Sequence, residues 1–218
     1  MLMRSPETDA FHRRRRESGF SLLEMASVLA ISVIVSVVSV VSLLPLLKAQ
    51  HETNAYNTTL AAMRQARDNA VSQRTAYSVT FSAAVTPNTI TVSPTLTGFQ
   101  GDQNTVTYQY PNDVLFLLPP TGTASPDGFG TGANAIDFGY TASSNAGGAT
   151  TIYFCPDGSA QTASTCAGAG NWDGGVVYLG QSGNVGSDRA VDVWGATGRI
   201  HGWRLYSTGG SSYQWVRQ

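Results

Sequence analysis

A single carboxylate, Glu24, stands at the head of a 23-residue run without charge, Met25 to Leu47. A charge at bilayer depth is expensive unless it is paired. Glu24 therefore either caps a helix start at headgroup level, where acids are favoured by about 0.3–1 kcal/mol, or meets a cation from elsewhere. Two cysteines, Cys155 and Cys166, lie far downstream. In an oxidising compartment they can close one short loop, worth about 3 kcal/mol in the chain-entropy account. With histidines only at positions 12, 51 and 201, two thiols lack the partners a metal site needs. Near the C-terminus Arg199, His201, Arg204 and Arg217 interleave with Trp203 and Trp215. By themselves these read as strand-edge charges and core tryptophans.

Other chemistry finds little support. Asp173, Asp188 and Asp192 have no calcium-ligand spacing and read as surface turn acids. The glycines of GFGTGA (128–133) do not join a strand to a helix, as a phosphate-binding loop would require. Neither a Gly-x-Ser-x-Gly element nor a His-Glu-x-x-His pair occurs. The expectation is a protein without catalytic residues, metal or cofactor.

Four segments must position these residues. Residues 1–19 carry five Arg against three acids, whereas the remainder holds eight Lys and Arg against eleven acids. The basic character is confined to this leader. Residues 20–47 form an apolar helix, longer than the ~20 residues needed to cross a ~30 Å hydrocarbon core. It is also longer than the apolar region of a secretory signal. Arginines ahead of the span predict a cytoplasmic N-terminus and export of the chain beyond it. Residues 48–76 continue as an amphipathic helix, with Tyr56, Leu60, Met63, Ala66, Ala70 and Val71 on one face.

From Tyr77 the composition changes to short runs rich in Val, Ile, Thr and aromatics: YSVTF, NTITVSP, NTVTYQY, DVLFLL, AIDFGY, TTIYFC, GGVVYLG, RAVDVWG, GRIHGWRLY and SYQWVRQ. Gly and Pro pairs separate them, so residues 77–218 read as an antiparallel β domain with its own core. Residues 119–150 and 156–175, rich in Gly, Ser, Ala and Thr, read as exposed loops. Only 12% of the chain is charged, about half the usual ~25% of soluble domains, and its net charge of −1 gives no general affinity for polyanions.

The block RRRRESGFSLLEMASVLAIS resembles the processing signal of the type IV pilin superfamily. That resemblance implies cleavage between Gly19 and Phe20 by a prepilin peptidase, N-methylation of Phe20, and a role for Glu24 as the assembly acid at the fifth mature position. The freed amine of a neighbouring subunit would be its partner, through packing of N-terminal helices in a filament. Farther on, LAAMRQARDNAVSQRTAYSVTF and RAVDVWGATGRIHGWRL, with its Gly198-Arg199, are similar to H-type minor pseudopilins and FimT-like minor pilins (the GspH/FimT branch). The resemblance covers residues 13–82 and 189–205. It departs from the pattern in a longer leader, in Pro45 lying about one helical turn late, and in His201 standing where the branch has a second arginine.

The implied fold is α+β and type IV pilin-like: a long N-terminal α-helix packed on an antiparallel β domain. The implied role is a structural subunit of a type II secretion pseudopilus or type IV pilus. It would be anchored once in the inner membrane, with the β domain periplasmic or extracellular and in the filament after assembly. A second reading is a DNA-binding minor pilin for natural transformation, using Arg199, His201, Arg204 and Arg217.

Overall fold

The computed structural model describes residues 20–84, 86–95, 105–130, 132–141, 147–166 and 172–218. The leader, Gly19 included, lies outside them. Two compact units are distinguished, residues 1–44 and 45–218.

One helix, α1 (Leu22–Gln73), carries the apolar run, Pro45 and the amphipathic stretch. It ends three residues before the boundary expected at 76, because Arg74 turns to φ +53°, the left-handed conformation that commonly closes a helix. In the first unit the apolar side chains of α1 are exposed, Val28, Ile31, Val35 and Val38 each by more than half. The helix is long and apolar enough to cross a membrane.

Within the second unit α1 buries Glu52, Ala55, Tyr56, Thr59, Ala62, Met63, Ala66 and Ala70. Steps of three and four residues place these on one stripe. Val71, expected on that stripe, is instead 46% exposed: adjacent to Ala70, it is turned about 100° away on the helix. Small residues at 55, 62, 66 and 70 and the larger Met63 are all fully buried on this stripe and belong to the core shared with the sheets.

Eleven strands follow among the described residues: β1 (Tyr77–Ser82), β2 (Thr89–Pro94), β3 (Val106–Gln109), β4 (Leu115–Phe116), β5 (Ile136–Tyr140), β6 (Thr151–Phe154), β7 (Ala160–Gln161), β8 (Gly174–Gly180), β9 (Arg189–Trp194), β10 (Arg199–Gly209) and β11 (Ser212–Arg217). One sheet has the order β3-β2-β1-β6-β7. The other has β11-β10-β9-β8-β4, with β5 also on β8. Every pairing is antiparallel. The molecule is α+β, a long N-terminal helix packed on two antiparallel sheets, consistent with a type IV pilin-like fold.

The helix stripe and both sheets share the main core, from Val79, Phe81 and Ile152 of the first sheet to Val177, Leu179, Val191 and Val193 of the second. The second sheet is covered on its other face as well, where Val176, Tyr178, Ala190, Leu205 and Trp215 cluster with Phe129 and Trp203. That double cover explains why all seven residues of β8 are buried and why its sequence, GGVVYLG, is continuously apolar instead of alternating. It also narrows the reading of 119–150 as exposed loop: β5, on the expected AIDFGY run, lies within it with Phe138 and Asp137 fully buried. Likewise 156–175 contains β7, both of whose residues are buried.

Candidate functional site

Phe20 precedes α1 and is 78% exposed. Glu24 sits in the first turn of the helix, its side chain exposed, while its carbonyl accepts the hydroxyl of Ser27 at 2.8 Å. The serines at 32, 36, 39 and 42 bond back to carbonyls three or four residues earlier, so their hydroxyls are satisfied within the helix. What this segment presents outward is an apolar surface with one acid near its N-terminal end.

Cys155 and Cys166 are bonded, with Sγ atoms 2.08 Å apart. Cys155 is buried, and its Sγ accepts the side-chain amide of Gln161 at 2.8 Å.

The four C-terminal basic residues do not converge. Arg199 and Arg217 are exposed. Arg204 pairs across the strands with Arg189, and its guanidinium stacks on Tyr206, 5.0 Å from the ring centre. His201 is only 9% exposed and its Nδ1 lies 2.9 Å from Asp127 Oδ2, so it does not reach a phosphate at the surface. Trp215 belongs to the outer core cluster. Arg199 instead lines a groove with Arg64, Arg67 and Asp68 of α1, a meeting of helix and turn that strand spacing alone does not reveal. Arg67 is held there by Gly158 O at 3.3 Å and Thr197 O at 3.2 Å. A Cβ at Gly198 would strike Gly158 O and the Arg67 side chain, and the residue has φ +57°. Only glycine allows this close approach.

Two aspartates read as surface turn acids are buried, Asp188 at 2% and Asp192 at 0% exposure. Asp173 is half-buried and accepts the backbone N–H and hydroxyl of Thr162, a loop clamp. Asp188 stands near Glu52, and burial followed by that neighbouring charge pushes its carboxyl up to about 7.

Asp192 is part of a tighter constellation. In the β9–β10 hairpin it lies opposite His201, and the two side chains share the outer face of the second sheet. The one-turn helix Pro126–Gly128 covers this face and supplies Asp127, a non-glycine residue at φ +49°. Asp127 Oδ2 accepts the indole N–H of Trp194 at 2.9 Å, and Asp192 Oδ2 that of Trp203 at 2.8 Å. Asp192 Oδ1 is 3.4 Å from His201 Nδ1 and meets no donor at good hydrogen-bond geometry among the described residues. Burial pushes the Asp192 carboxyl up to about 8; the Trp203 hydrogen bond opposes this, and the Asp127 charge adds to it. For Asp127, burial acts upward, but hydrogen bonds with Trp194, His201 and Asp192 outweigh it and hold the carboxyl below its ordinary value. Two close carboxylates thus take opposite protonation tendencies.

The Asp192–His201 juxtaposition was recoverable from the sequence, since closing the hairpin on GATG (195–198) brings residue 192 opposite 201. Asp127 was not, because it arrives from a loop more than sixty residues away. No family model, curated protein or solved structure matches the chain.

Proposed function

We propose that the chain is a minor pilin or pseudopilin, a structural subunit cut between Gly19 and Phe20 by prepilin peptidase and assembled into a secretion pseudopilus or type IV pilus. The observation that carries this reading is the apolar half of α1: its side chains are uncovered, and a lone carboxylate, Glu24, lies in its first turn. A surface of that kind is stable in lipid or against other helices of the same character. Cleavage would free an α-amine at Phe20, and a neighbouring subunit's amine would neutralise Glu24 as helices stack. Before assembly the chain would be a single-pass inner-membrane protein with a cytoplasmic N-terminus, its β domain in the oxidising compartment that suits the Cys155–Cys166 bond. The passage LAAMRQARDNAVSQRTAYSVTF and the Gly198-Arg199 element argue for the H-type and FimT-like branch. The role is structural, without catalysis.

Glu24→Ala tests the reading. The variant should be processed and inserted normally but fail to enter filaments when expressed with its partner subunits. Wild-type incorporation would overturn it.

A second reading, DNA binding during uptake, draws on the groove where Arg64 and Arg67 meet Arg199. Arg64→Ala with Arg199→Ala should then abolish salt-sensitive binding of duplex DNA. Unchanged binding, or none in the wild type, would contradict that reading.

A further inference from the structure

We propose that Asp127, Asp192 and His201 form a binding site for one divalent transition-metal ion of the zinc class, independent of the filament role. One ligand atom from each residue lies within 4.8 Å of the others. His201 Nδ1 is 2.9 Å from Asp127 Oδ2 and 3.4 Å from Asp192 Oδ1. Ligands bound at about 2.0–2.1 Å are separated by about 3.0 Å along an octahedral edge and about 3.4 Å along a tetrahedral one. The His201–Asp192 separation matches the tetrahedral edge, and the His201–Asp127 pair is about 0.5 Å closer than that edge, so a four-coordinate ion is seated once this pair opens by that amount.

An independent sign is the fully buried Asp192, whose Oδ1 faces His201 Nδ1 at 3.4 Å and meets no donor at good hydrogen-bond geometry among the described residues. A buried oxygen without a donor is costly, and a cation at the centre of the three residues satisfies it. Both carboxylates are already oriented from outside by indole N–H groups, Trp194 on Asp127 and Trp203 on Asp192, as outer partners hold metal ligands elsewhere. Trp194 is fixed in turn by Phe129, ring to ring at 5.2 Å. The Asp127 side chain is 25% exposed, which leaves an entry route and a place for water as the fourth ligand.

The donor set selects the ion. Calcium takes six to eight oxygens, whereas one imidazole with two carboxylates suits zinc and its neighbours in the Irving–Williams order.

The test uses the full chain in detergent, stripped of metal and titrated separately with Zn²⁺ and Ca²⁺. We expect one zinc per chain, a change in tryptophan fluorescence from the two indoles, and no response to calcium at equal concentration. Asp127→Asn, on a partly exposed turn, should retain the thermal midpoint yet weaken zinc binding at least tenfold. His201→Gln should do likewise, and X-ray absorption of the zinc form should show a single imidazole among nitrogen and oxygen ligands. Should His201→Gln fail to fold, Asp127→Asn and the absorption spectrum decide. No zinc uptake at 100 times the protein concentration, a preference for calcium, or unweakened binding in Asp127→Asn would overturn the site; the last would locate the zinc elsewhere, for example at His51 and Asp113, 2.9 Å apart.

Discussion

The two halves of α1 are built from the same backbone and opposite surfaces. From Leu22 to Leu44 the large apolar residues are all roughly half exposed or more, whereas from Glu52 to Ala70 every third or fourth residue is buried against the sheets. The C-terminal half is written for its own domain: a buried stripe of alanines, Tyr56 and Met63 that joins the core of the sheets. The N-terminal half is written for surroundings outside the chain, with a continuous β-branched and leucine surface and a single acid. Apolar exposure on that scale is what membrane insertion and helix–helix association use.

Substitutions in the two halves should therefore separate folding from assembly. Met63→Ala, in the covered half, should cost about 2–5 kcal/mol of domain stability, read as a lower denaturation midpoint, because the cavity cannot collapse between helix and sheets. Raising the pH from about 4 to 7 should weaken the folded domain by on the order of 2–4 kcal/mol through Asp188. Over that window the unfolded chain ionises this carboxyl, while burial beside Glu52 keeps it protonated in the folded state up to about 7. Stability is thus highest below the unfolded value and falls as pH rises; Asp188→Asn should remove this share of the slope in midpoint-against-pH curves. Cys155→Ser with Cys166→Ser should cost about 3 kcal/mol, and reduction of the wild type should match it. Val38→Ala, in the uncovered half, should leave the domain's denaturation midpoint within about 0.5 kcal/mol. A large stability loss there would show that the comparison is wrong.

Much of this division is legible in the sequence, and the exceptions have two causes. The helix, its apolar and amphipathic halves, and the longer strands follow from local pattern, because each sustains its period or its apolar run over six or more residues. β7 is only two residues long, too short for any period to register. Asp192 reads as a surface acid because, between Val191 and Val193, it alternates as an outward-facing strand residue should. It does leave the main core, but the outer face of this sheet is covered by the 126–129 turn and Trp203. His201 misleads for the same reason. Long-range cover by a glycine-rich segment leaves no periodic trace, so the Asp127–Asp192–His201 constellation emerges only in three dimensions, whereas Glu24 can be singled out from one dimension.

The central claim, that the exposed half of α1 is a processed assembly helix, is tested most directly by mass spectrometry of the mature chain's N-terminus in a host with active prepilin peptidase. The account predicts a chain lacking residues 1–19 and beginning with N-methylated Phe20. An intact chain retaining its arginine-rich leader, or one cut elsewhere, would contradict it.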